Sequence, residues 1–99
     1  MAKKEIIWSK NALNELQDTL DFYNERNGNT DYSSKLLEEI ESLLELLSIN
    51  EMLGRKTTDK NSRVLVKKVY LIFYEIKKDK LEILSFWDNR QNPVNRLEN

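Results

Sequence analysis

The chain has 99 residues, 39% hydrophobic and 33% charged with a formal net charge of −1, enough for one modest core beneath a solvated surface and too few for two, so a single domain over 1–99 is expected. It contains no cysteine and no histidine, which excludes disulfides, thiolate metal sites, a cysteine nucleophile and a Ser-His-Asp triad, and leaves acid–base chemistry to Lys, Arg, Tyr, Asp or Glu. No run approaches the roughly 20 apolar residues of a bilayer span, and the start lacks the apolar stretch of a signal peptide, so no membrane association and a cytoplasmic location are expected.

Residues 4 to 8, ending Ile6-Ile7-Trp8, are β-branched and aromatic and predict a short strand. Ser9 is a good N-cap, and Ala12, Leu13, Leu16, Leu20 and Tyr23 recur at helical spacing until Asn27-Gly28, where glycine tolerates a left-handed terminus. Thr30 can cap a second helix with Tyr32, Leu36, Leu37, Ile40, Leu43, Leu44 and Leu47 on its apolar face, running to about Ser48. The pair forms an αα-hairpin whose leucine stripe is core, being too short in heptads for a coiled coil.

Residues 49 to 61 offer little to bury and predict a loop. The period then falls to two: Val64 to Val66, Val69 to Ile76 and Leu81 to Trp87 predict three strands, with lysine-rich connections short enough for hairpins. The middle run, apolar at nearly every position, belongs inside the sheet. A polar tail from Asp88 to Asn99 follows, with Pro93 opposing a further central strand. The expected fold is α+β, in the order β-α-α-β-β-β, with the N-terminal strand and the helical hairpin packed on a small, mainly antiparallel sheet.

Charge is unevenly distributed. Residues 1 to 54 carry 5 Lys/Arg against 11 Asp/Glu, and residues 55 to 99 carry 11 against 6. The halves are thus −6 and +5. Either two faces are solvated differently, or the C-terminal half presents a basic surface to a polyanion or an acidic partner. Glu38, Glu39, Glu41 and Glu45 read as a solvated helix face that could also repel DNA. No metal or cofactor is expected, since the carboxylates lack calcium-loop spacing.

Several segments, in this order, resemble toxins of the RelE/ParE superfamily. They are Ile7-Trp8-Ser9 with Ala12 and Leu16, Gly54-Arg55, Arg63-Val64, the apolar strand Val69 to Ile76, and Ile83 to Pro93 with its Arg-x-x-Pro ending. The resemblance implies the toxin of a type II toxin–antitoxin pair, silenced by a cognate antitoxin whose terminal segment folds on binding into an apolar groove near the hairpin or sheet edge. Two activities occur in the superfamily. ParE-like members inhibit DNA gyrase by binding, and RelE-like members cut messenger RNA on the ribosome.

For RNA cleavage, basic side chains would have to activate the 2′-OH, stabilise the phosphorane and protonate the leaving oxygen. The candidates are Arg55, Lys56, Arg63 and Arg90. Against this, Tyr70 is followed by Leu71 where the nucleases carry Arg, and no aromatic or histidine follows Arg90. The net acidity also opposes tight phosphate binding. A ParE-like binding inhibitor is therefore the preferred reading, with Arg55, Arg63, Trp87 and Arg90 as target contacts. The alternatives are the ribosome-dependent nuclease and a non-toxic nucleic-acid or protein interaction module. Arg63 could instead pair with a helix carboxylate, Gly54-Arg55 could be a simple turn, and Trp87 could cover the core.

Overall fold

In the computed structural model, residues 3–59 and 61–90 are described. The elements are β1 (Glu5–Trp8), α1 (Lys10–Asn27), α2 (Asp31–Ile49), β2 (Arg55–Lys56), β3 (Arg63–Lys67), β4 (Tyr70–Ile76) and β5 (Lys80–Asp88). This is the expected α+β order with one addition. The short strand β2 lies in the predicted loop, and its two exposed residues carry no hydrophobic period by which to recognise it. The expected tail and Pro93 lie outside the described residues, apart from Asp88, which closes β5, and Asn89 and Arg90.

Local signals set the helix ends. Ser9 Oγ accepts from the Ala12 amide at 3.0 Å, and Gly28 adopts φ 71° while its amide returns to Asn24 O. Thr30 occupies the N-cap position of α2 but makes no side-chain cap bond. Asn29 supplies one instead, its Oδ1 accepting from the Asp31 amide at 3.0 Å. The Asn side chain, one residue earlier, satisfies an otherwise orphaned helix-end donor.

The five strands form one sheet in the order β1-β5-β4-β3-β2, with β1 parallel to β5 and every other pair antiparallel. A parallel pair needs a long crossover, and the helical hairpin provides it. The helices cover one sheet face: Leu16, Leu36, Ile40 and Leu47 meet Leu65, Ile72, Ile83 and Phe86 in a single cluster. Leu43, expected in the core, is only partly buried at its margin. No helix among the described residues is long and apolar enough to cross a membrane.

One irregularity determines what the sheet presents. Tyr74 pairs with Ile83 and Phe73 with Ser85, so Leu84 is an extra residue in β5. Leu84 O accepts from Ser9 Oγ at 3.3 Å and Asn11 Nδ2 at 3.1 Å. Glu15 Oε1 accepts from Ser85 Oγ at 2.8 Å and the Phe86 amide at 3.1 Å. The bulge reverses the strand's facing, so Leu81 and Ile83 point toward the helices before it, and Phe86 and Asp88 after it.

Candidate target-binding surface

The predicted contact residues fall into two groups at opposite ends of the sheet. At one end the loop after α2 is bound to the sheet by Tyr74. Its hydroxyl accepts from the Gly54 amide at 2.9 Å and donates to Glu51 O at 2.8 Å. Arg63, opposite Tyr74 on β3, faces the same way; its Nε donates to Gly54 O at 2.8 Å and one terminal nitrogen to Met52 O at 3.4 Å. Arg63 is thus spent on backbone carbonyls rather than on the helix carboxylate the sequence allowed. Gly54 is required by proximity, because a Cβ there would lie 2.7 Å from both Tyr74 Cε1 and Val64 O.

This lock carries β2. Arg55 pairs with Val64 and Lys56 with Arg63, so Lys56 belongs to the helix side and Arg55 to the outer face. Both are exposed, and neither side chain makes a hydrogen bond or ion pair among the described residues. They are cations available to a partner.

Arg90 lies at the other end. It follows Asp88, which pairs with Tyr70, and Tyr70 is four residues before Tyr74 on β4. At about 3.3 Å per residue the two ends are some 13 Å apart. Arg90 Nε donates to Asp88 Oδ1 at 3.3 Å, and a terminal nitrogen reaches Asp88 Oδ2 at 3.2 Å and the Tyr70 hydroxyl at 3.1 Å. The same nitrogen donates to the Tyr23 hydroxyl. The guanidinium also sits 5.3 Å and 5.7 Å from the ring centres of Tyr23 and Tyr70.

Two further contacts complete this cluster: Tyr23 donates to Asp88 Oδ2 at 2.8 Å, and the Tyr32 and Tyr70 hydroxyls share a hydrogen bond at 2.5 Å. Burial above all, with the Asp88 carboxylate second, raises the Tyr23 pKa. Burial and then the bond to Tyr32 raise that of Tyr70. For Asp88, burial is the largest single influence and pushes upward, yet the side-chain and backbone hydrogen bonds from Arg90 and the Tyr23 hydroxyl together hold it below the usual carboxylate value. The hydrogen bond to Asp88 leads in raising Arg90. The result is a closed ion pair ringed by phenols, a poor proton donor at neutral pH.

Trp87, paired with Leu71, lies on the outer face and is half-buried. Arg55 shares that face with Val66 and Phe73. The structure therefore brings Arg55 and Trp87 to one side of the sheet and does not bring Arg63 or Arg90 to them. The expected continuous arginine rim is absent among the described residues. Tyr23, Tyr32 and Asp88 escaped the sequence reading; the tyrosines were hidden within helical stripes, and no local pattern shows which turn of a helix will meet a strand end. No group of metal-ligating side chains exists among the described residues.

A mainly antiparallel sheet with an N-terminal parallel strand and one helical hairpin, rimmed by basic residues without a catalytic cluster, is the frame of a small binding toxin. The sequence matches the family model for the ParE toxin of type II toxin–antitoxin systems (parDE) over residues 6–93, and the chain belongs to that family. It is a type II toxin. Among solved structures it is similar to a chain described as the chromosomal ParDE TA system from P. aeruginosa, with a TM-score of 0.73, 19% identity, and coverage of 85% of this chain and 94% of that one. No curated protein matches the sequence.

Proposed function

We propose that this toxin acts by binding, that its target is DNA gyrase, and that a cognate antitoxin neutralises it in the cytoplasm. The observation that carries the binding reading is the state of the arginines. A nuclease of this fold needs free cations converging on one phosphate, whereas Arg63 is held by Gly54 O and Arg90 by Asp88. Leu71, in the position where the nucleases of the superfamily carry arginine, is 2% exposed and chemically inert. What remains for a target is Arg55 and Lys56 with the aromatic outer face around Phe73 and Trp87, a surface suited to recognition.

The test is induction without antitoxin. Inhibited supercoiling by purified gyrase, with intact messages and an induced DNA-damage response, is the expected result. Codon-phased cuts in translated messages, mapped by primer extension, would replace this reading with the ribosome-dependent nuclease. Undisturbed growth would leave the non-toxic interaction module.

A further inference from the structure

The outer side of α2 is unlike the rest of the surface. Half of the exposed large hydrophobic residues lie in one short stretch, Leu46 at 58%, Ile49 at 49%, Met52 at 61% and Leu53 at 40%. Leu46 and Ile49 are one helical turn apart, and the loop that Tyr74 and Arg63 fasten carries Met52 and Leu53 just beyond. Upstream on the same helix, Glu38, Glu39, Glu41 and Glu45 flank the apolar strip. Of these only Glu45 is in an ion pair, with Lys3, among the described residues. A shallow groove of about 340 Å³ runs between α2 and β3, lined by Lys35, Glu38, Leu43, Leu46 and Lys67 among others.

We infer that this acid-flanked apolar strip is the docking site for an amphipathic helix of the antitoxin that carries lysine or arginine beside aliphatic side chains. The inference rests on the antitoxin reading above and adds the place and the chemistry of the segment. α2 offers 19 residues, about 28 Å at 1.5 Å per residue, so a helix of four or five turns can lie along it. Steps of four, three and four through Glu38, Ser42, Glu45 and Ile49 form one ridge, with Leu46 beside it, as helix-in-groove recognition requires. Unpaired carboxylates attract a cationic flank and repel an acidic one, fixing the polarity of the partner. A second copy of this chain fits less well. Its basic residues lie on β2 and the strand turns, so such a contact would join different surfaces and would not close into a dimer.

The probe is the product of the neighbouring reading frame, titrated into the purified chain by calorimetry. Leu46→Asp/Ile49→Asp alters exposed positions only, and an unchanged urea midpoint checks its fold. Its affinity should fall by roughly 100-fold, the scale of an interface anchor. Glu38→Lys/Glu45→Lys should lose about tenfold and flatten the salt dependence shown by the unaltered chain. Leu13→Asp, exposed on α1, should bind within about threefold of it, the range of a surface change away from an interface. If the unaltered chain binds nothing, the antitoxin reading itself fails. If it binds and both double variants bind equally well, the strip is not the docking site although the antitoxin stands. If Leu13→Asp loses as much as the α2 variants, the site is not confined to α2 and the inference is overturned. So it is if the chain self-associates and Leu46→Asp/Ile49→Asp abolishes only that.

Discussion

The Gly54 amide donates to the Tyr74 hydroxyl at 2.9 Å, and the ring of that tyrosine occupies the space a side chain at 54 would need. The loop after α2 therefore has one way to cross the sheet end. Gly54→Ala should cost about 1–3 kcal/mol by overpacking against Tyr74 and the Val64 carbonyl. Tyr74→Phe should cost about 1–3 kcal/mol, because the buried Gly54 amide and the Glu51 carbonyl lose their partner. Urea unfolding of both variants measures this. If the two effects share one contact, the double variant should fall well short of their sum.

Arg63 and Arg55 are expected to separate stability from toxicity. From sequence Arg63 reads as a surface arginine whose loss costs within roughly 0.5 kcal/mol. Its bonds to Gly54 O and Met52 O raise the expectation for Arg63→Ala to about 1 kcal/mol or slightly more. Arg55→Ala, at an exposed residue, should leave the urea midpoint unchanged and still weaken growth inhibition at matched expression. Full toxicity in Arg55→Ala would remove β2 from the proposed target surface.

The contrast between these arginines shows what could be read from sequence. Periodicity found both helices, three strands and their order, because apolar spacing is a local property set by burial on one face. β2 and the parallel β1–β5 pairing depend on contacts between distant segments, and no local pattern encodes them. Period-two alternation from Leu81 and Ile83 would turn Ser85 and Trp87 toward the helices. The bulge at Leu84 turns Phe86 and Asp88 inward instead. Arg90 was correctly placed beyond the sheet, but the buried carboxylate that claims it was invisible without that reversal.

The Asp88 cluster predicts stability losses at both pH extremes. Asp88 has a depressed pKa in the folded chain, so its contribution is complete above the ordinary value near 3.9 and is lost as pH falls through the lower folded value. Tyr23 and Tyr70 have raised values. Their contribution is complete below about 10 and is lost as pH rises past it, when unfolded chains ionise and folded ones resist. Urea midpoints across pH should show both arms. Asp88→Asn should flatten the acid arm and Tyr70→Phe the alkaline arm; unchanged profiles would mean the cluster is not coupled to folding.

Ile72 and Leu43 rank the core. Ile72 is fully buried at the centre of β4, and its truncation to Ala should cost about 2–5 kcal/mol through the cavity left behind. Leu43 is only partly buried beside the α2 groove, so Leu43→Ala should cost less than Ile72→Ala at the same denaturant slope. Equal costs in both variants would place Leu43 deeper than its exposure indicates.

Glu15 is the sharpest test of the bulge. From α1 its carboxylate takes the Ser85 hydroxyl and the Phe86 amide, two donors that the irregular ladder turns away from β4. Glu15→Ala would leave a part-buried backbone donor without that acceptor, at a cost of about 1–3 kcal/mol. Glu15→Gln keeps an acceptor oxygen and should cost less, so the pair separates hydrogen bonding from helix propensity. Amide exchange at Phe86 should accelerate more than exchange at Ile83, which lies before the extra residue. Uniform acceleration along β5 would instead mean that Glu15 supports the whole strand and has no particular part in holding the bulge.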